Sequence, residues 1–233
     1  MSQVTDETRR EAEGIVAGLR AMRSDEHVAG QRRFGIQSHV EQLGITMPGM
    51  RAIAKTYRRR HDLAEALWAT PVLEARMVAA LVDDPKLVTR EQMQRWANDF
   101  DNWALVDNCC CNLFDRTPGD MAIVQAMKWS RHKAEFIKRA GFVLMAGLAV
   151  HRKELDDAVF CMFLSTIKRE CDDERNFVKK AANWALRQIG KRNATLHDLA
   201  MFEAQRIVEL DTPAARWIGR DAIRELGKKK SAR

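Results

Sequence analysis

Tyrosine, proline, glycine, paired cysteines and long apolar runs are all scarce in this chain, and each scarcity excludes a class of protein. Its 233 residues include only 12 Gly, 5 Pro and 1 Tyr. So few turn formers argue against a many-stranded sandwich or barrel, which turns every ten or so residues. No apolar run approaches the roughly 18 residues of a membrane span, and the mean hydropathy is −0.39. The opening MSQVTDETRREAEG is charged and lacks the apolar stretch of a signal peptide. The expectation is a soluble, cytoplasmic protein with no membrane partner. The five cysteines, Cys109, Cys110, Cys111, Cys161 and Cys171, are odd in number, as reduced thiols would be. Three consecutive cysteines on a helix point in three directions and cannot share one metal. With no CxxC and no His pair at ligand spacing, they read as small, semi-buried helix residues. The six histidines are dispersed, without Ser or Cys partners at useful spacing. Neither a metal nor a cofactor is expected.

What the chain does have is helical periodicity. Hydrophobic residues make up 46% and charged residues 30%, an ordinary globular balance. Amphipathic segments are expected at about 5–22, capped by Thr5 or Asp6, and at about 25–43, with a break near Gly35. A third opens at Pro48 and runs to about Arg60. Further segments follow at about 62–69, 71–83, 89–100, 102–115, 118–130, 132–151, 153–170, 174–190, 195–210 and 213–227. Thr89 with Gln92 is a capping-box signal, and Pro213 stands just inside the last start. There is no alternating strand, no Asn-Gly or Asp-Gly hairpin and no Gly-rich phosphate loop. So many helices on short turns exceed one bundle core. They predict an all-α fold, a curved α-solenoid of antiparallel helical hairpins. A single domain over 1–227 is expected, followed by a basic tail at 228–233.

The net charge of +7 is unevenly spread. Residues 175–233 carry 14 basic against 6 acidic residues, whereas the first 174 carry 25 against 26. Three rows bring cations to one helix face: Arg51, Lys55, Arg58 and Arg59; Lys180, Trp184, Arg187 and Lys191; Arg216, Arg220, Arg224 and Lys228. Any one row reads as the solvated face of an amphipathic helix. Three together, biased toward one end, point to a phosphate backbone. Asp221 and Glu225 fall off the line of the last row.

Chemistry-bearing residues stand in three blocks. DNWALVDN places Trp103 and Asp107 at i and i+4, a carboxylate one turn from an indole. EFIKRAGFVLMAG carries Lys138 and Arg139 in an otherwise apolar helix, either snorkelling or paired. NFVKKAANWALRQIGKRN supplies Trp184 within a basic row. Trp68, Trp96, Trp129 and Trp217 lack a carboxylate at i+4 and read as packing residues, as do Met77, Met145 and Met162. Glu91 and Asp99 have no evident partner.

In the order and spacing of these blocks, over about residues 25–227, the chain resembles the AlkD-like DNA alkylation repair glycosylases, built from HEAT-like helical repeats. LWATPVLEARMVAALV at 67–82 and the final AARWIGRDAIREL are also similar to family segments. The resemblance implies hydrolysis of the N-glycosidic bond of cationic alkylated purines, such as 3-methyladenine and 7-methylguanine, in double-stranded DNA. It implies that Asp107 is the catalytic carboxylate and that Trp103 packs against the lesion deoxyribose. Trp184 is then the second indole, and Arg139 holds backbone phosphate. It further implies that the base need not swing into a pocket. In place of the tyrosine that family members carry on an amino-terminal helix, this chain has AGQRRFGI, and its one tyrosine is Tyr57 in the next helix.

These residue types suit the reaction. A purine alkylated at N3 or N7 is already cationic and leaves without protonation, so the developing charge lies on the sugar. A carboxylate and indole faces stabilise that charge, the indoles by roughly 0.5–2 kcal/mol each. No general acid is evident, which predicts selectivity for charged, labile adducts. Two other readings stay open. One is a non-catalytic helical-repeat protein binding DNA or branched nucleic acid, and the other a helical scaffold with an acidic protein partner. A monomer is expected.

Overall fold

The computed structural model describes residues 4–228. Among these residues there are thirteen α-helices, one short 3-10 turn and no strand. The only extended pairing among them is an isolated bridge between Glu41 and Val72. They divide into two compact units, the first ending at Pro118 and the second beginning at Gly119.

Unit one contains α1 (Asp6–Ala21), α2 (Asp25–Arg33), α3 (Met47–Thr56), α4 (His61–Trp68), α5 (Leu73–Val82), α6 (Arg90–Asn98) and α7 (Trp103–Asn112). The starts follow local chemistry. The hydroxyls of Thr5 and Thr89 accept from the backbone N–H of Thr8 and Gln92, both at 3.1 Å, as the cap signals predicted. α5 is the centre of the unit, with α1, α3, α4 and α7 packed around it and Leu73, Met77, Val78 and Val82 buried. Behind it, Trp68 and Trp96 stack with centroids 3.9 Å apart, worth about 1 kcal/mol beyond their burial. Asp99, which had no partner in the sequence reading, accepts from the Trp68 indole N–H at 2.8 Å.

Two expected helices come out shorter. The stretch 25–43 is helical only to Arg33, because Gly35 (φ 79°) turns the chain and an extended segment follows. That segment satisfies its backbone elsewhere: Glu41 bonds with Pro71 and Leu73 at 3.0 and 2.8 Å. α3 ends at Thr56 rather than near Arg60. Arg59 takes a left-handed φ of 60°, and Arg60 is drawn onto Glu11 and Asp62 at 2.9 Å.

Unit two contains α8 (Met121–Trp129), α9 (Glu135–His151), α10 (Asp157–Arg169), α11 (Asn176–Gly190), α12 (Ala194–Val208) and α13 (Pro213–Gly227). α9 is nearly all buried and packs on α8, α10 and α11, while α13 packs on α11 and α12. The helices run as hairpins on short turns, α8 with α9 and α12 with α13. Gly219 permits the close approach of the last pair: a Cβ there would lie 2.6 Å from the carbonyl oxygen of Ala204. The last helix spans the expected residues, with Thr212 as its cap. Of the expected basic tail, residues 229–233 lie outside the described residues.

Candidate functional site

The expected site residues are distributed over both units. Trp103 and Asp107 belong to unit one, and Arg139, Trp184 and the two later basic rows belong to unit two.

In unit one the DNW sequence starts α7 and positions its indole. Asn102 is the cap, its side-chain oxygen accepting from Leu105 N–H at 3.0 Å. Asp101 accepts from the Ser38 hydroxyl and the His39 N–H, both at 2.7 Å, and so ties the extended segment to the start of the helix. Trp103 is the first helical residue, and its indole N–H donates to the carbonyl of Phe34 at 3.0 Å. Asp107 follows one turn later, half-buried like Trp103.

Both residues line a cavity of about 330 Å³ in unit one. Its apolar lining is Ile36, Ile45, Met47, Met50, Leu73 and Met77, with Ala104 beside Trp103. Glu74 is the other carboxylate of the lining, and its charge is engaged by the loop. One oxygen accepts from Leu43 N–H at 2.9 Å, the other from Gly44 at 2.7 Å and Ile45 at 3.4 Å. Gly44 (φ 76°) is required here, since a Cβ would collide with the Ser24 carbonyl oxygen. The Asn108 amide is likewise engaged, donating to the Met77 carbonyl at 2.9 Å. The sequence reading found the pair and missed the cavity, because its walls come from four separate segments.

Two of the three cysteines that follow Asp107 lie in the core. Cys109 and Cys110 are buried, and burial pushes both thiols well above their ordinary range. Among the described residues no group of three or more His, Cys, Asp or Glu side chains could hold a metal.

In unit two, Lys138 is paired rather than snorkelling, with Asp173 at 3.0 Å and Glu170 at 3.2 Å. Burial works to raise the Asp173 carboxyl, but hydrogen bonds from Arg175 and Lys138 outweigh it and hold it at about 2. Arg139 is 6% exposed, and its guanidinium donates to the Phe177 carbonyl at 2.7 Å. Trp184 is half-buried on α11.

The basic rows differ from their expected form. In the first, only Arg51 and Lys55 share α3, both exposed, while Arg58 and Arg59 lie beyond its end. In the second, Arg187 meets Glu225 at 2.6 Å and Asp221 at 3.5 Å, and Lys191 also pairs with Glu225. In the third, Arg216 meets Asp211 at 3.2 Å and Arg224 pairs with Asp221. The two acids that fall off the row on their own helix thus neutralise cations, those of the neighbouring α11 included. Among the described residues Lys180 and Arg220 are exposed and make no ion pair. Trp217, expected to pack, is 39% exposed beneath the ammonium of Lys179. Trp68, Trp96 and Trp129 are buried as expected, as are Met77 and Met145, whereas Met162 is exposed.

Comparison with known proteins agrees with the resemblance. The family model described as DNA alkylation repair enzyme matches residues 15–226, and the chain belongs to that family. No curated protein matches it. A solved structure is similar at a TM-score of 0.73 and 20% identity, covering 91% of this chain and 94% of the other. It is described as representing a new family of proteins related to the HEAT-like repeat DNA glycosylases, with affinity for branched DNA structures. The fold is accordingly the HEAT-like array of helical hairpins that the sequence predicted.

Proposed function

We propose that this member of the DNA alkylation repair family is a DNA glycosylase that excises cationic alkylated purines from duplex DNA, with Asp107 as the catalytic carboxylate. One observation carries the reading: Asp107 and Trp103 stand one turn apart, half-buried, in the lining of an otherwise largely apolar cavity. A carboxylate at an apolar wall acts through a lower effective dielectric than one in water. Its stabilisation of a developing cation is correspondingly larger.

The reaction then needs little else. The C1′–N9 bond breaks with its electron pair passing to the alkylated ring, which becomes neutral as it leaves. The sugar becomes oxocarbenium-like and is stabilised by the Asp107 carboxylate and the Trp103 face. A water oxygen adds to C1′, and the proton it releases passes to the carboxylate and on to solvent. An uncharged base would leave as an anion, and this set offers no acid to prevent that. Selectivity for 3-methyladenine- and 7-methylguanine-type lesions follows.

The roles that the resemblance gives to Trp184 and Arg139 are proposals of their own. Trp184 is half-buried and available to a sugar face, whereas the Arg139 guanidinium holds the Phe177 carbonyl. Lys180, Arg220, Arg51 and Lys55 are the exposed cations best suited to phosphate, because each adds undiminished charge. A second reading, a non-catalytic protein binding branched DNA, is supported by the property described for the structural neighbour.

The test is release of free 7-methylguanine from methylated duplex DNA by the wild type and by Asp107→Asn, side by side. The expected result is release by the wild type, and a loss of roughly 100- to 1,000-fold in the variant with duplex affinity unchanged. Equal turnover by the variant removes Asp107 from catalysis. No release by a folded, DNA-binding wild type favours the second reading.

A further inference from the structure

We propose that Trp217, with the cations around it on α11 and α13, is a stacking platform for an unpaired nucleotide of a DNA strand. The inference takes DNA as the partner from the reading above and is independent of the role given to Asp107. The ring stands on a fixed support. Ala214, Ala215, Ile218 and Gly219 on the opposite side of α13 are buried, and Gly219 lets the helix close on α12. Trp217 itself stays 39% exposed. It lines a shallow recess of about 470 Å³ together with Pro213, Arg216, Arg220, Asp221 and Arg224. From α11, Lys179 brings its ammonium to 5.8 Å from the ring centroid, within cation–π reach. The exposed part of the indole is left for a ligand to cover.

Three observations select the ligand. The charge on offer is positive: among the described residues Lys180 and Arg220 are exposed without an ion pair. The acid of the recess, Asp221, is already taken, because Asn183 donates to it at 2.6 Å and Arg187, at 3.5 Å, and Arg224 pair with it. Phe202 on α12 shows the contrast. It is also exposed, at 54%, with the Arg206 guanidinium 5.4 Å from its ring, but Glu203 holds that arginine at 3.1 Å. The third observation is the indole. Inside a duplex both faces of a base are covered by its neighbours, so only an unpaired or terminal base can stack on a side chain. Arg220, one turn on from Trp217 and about 5–6 Å along the helix face, is placed for the adjoining phosphate. An acidic peptide would use the cations and leave the indole idle.

The test is fluorescence anisotropy of the full chain with three labelled ligands: an oligothymidylate, an abasic strand of the same length and a blunt duplex. The wild type should bind the oligothymidylate roughly fivefold or more tighter than the abasic strand. Trp217→Ala should abolish that preference by lowering affinity for the oligothymidylate alone, with helical content and duplex affinity unchanged. Trp217→Met keeps apolar bulk without a ring, serves if the alanine variant unfolds, and should lose the preference too. Trp217→Phe keeps a ring and should hold the oligothymidylate within about threefold of the wild type. Equal wild-type affinity for the two strands, a preference that survives in Trp217→Ala or Trp217→Met, or an equal loss on duplex overturns the proposal. Displacement of the strand by polyglutamate at matched charge would assign the surface to an acidic protein and overturn it as well. Base release is scored separately on methylated duplex. Release without a preference for the oligothymidylate removes the platform and leaves the glycosylase. The preference without release does the reverse.

Discussion

In unit one the Asp107 carboxylate lines a largely apolar cavity, and in unit two Asp173, Asp221 and Glu225 sit among cations brought to them by chain folding. Charge counting does not show which cations are held by acids, since both units carry such pairs. The basic carboxyl-terminal quarter binds much of its own charge internally, since Arg187, Lys191, Arg216 and Arg224 all face acids. The nearly neutral first part leaves Arg51 and Lys55 exposed. Net charge measures how many cations a segment holds, and packing decides how many of them a partner can reach.

The comparison breaks first at Glu74. Glu74→Ala removes the acceptor of three buried N–H groups, and we expect a loss of about 3 kcal/mol in unfolding free energy, read by urea titration. It should also cost the activity that depends on the cavity. A change near zero would mean that the loop 43–45 does not need its clamp.

The next effect is of pH, and it has opposite sign in the two units. Burial pushes the Asp83 carboxyl in unit one up to about 6, against hydrogen bonds from His61 and Gln92. The folded state therefore holds this proton more tightly than the unfolded state does. Its contribution is fully present below the ordinary pKa of 3.8 and is lost as pH rises through 6, on the order of 2 kcal/mol. Asp173 in unit two, held at about 2, contributes above 3.8 and loses that contribution as pH falls toward 2. Hydrogen exchange should show the amides around Asp83 better protected at pH near 4 than near 7, with those around Asp173 weakening only in stronger acid. Asp83→Asn should flatten the first profile and leave the second.

The smallest effect sharpens the charge argument. Glu225→Gln should release Arg187 and Lys191 from their shared partner. Duplex affinity should rise severalfold, and the slope of log affinity against log salt should steepen by about one to two. The stability cost should stay near or below about 1 kcal/mol, because the pair is partly exposed. An unchanged slope would mean that these two cations do not face DNA. The double variant Lys180→Ala, Arg220→Ala should shallow the slope by about two.

Much of the fold was legible in the residue order. Thr5, Thr89 and Pro213 mark helix starts, and 3.6-residue periodicity reports one buried face at a time, so thirteen helices could be placed nearly end to end. The segment 34–46 was not legible. Its helical pattern yields to acceptors from α5 and the residues just before it, Glu74 and Pro71, which no local reading supplies. Trp217 misled for a related reason: an aromatic residue on a helix is compatible with core or surface until the neighbouring helix is known.

By itself the sequence determined that the fold is all-α and that Trp103 and Asp107 share one helical face. Each of these depends on interactions within a few residues. Only the tertiary structure decided that the pair lines a cavity, that Asp221 and Glu225 reach across to α11, and that Arg139 turns inward to Phe177. Those outcomes join residues about 30 or more positions apart. They depend on which helix faces pack together, and periodicity along the chain carries no record of that choice.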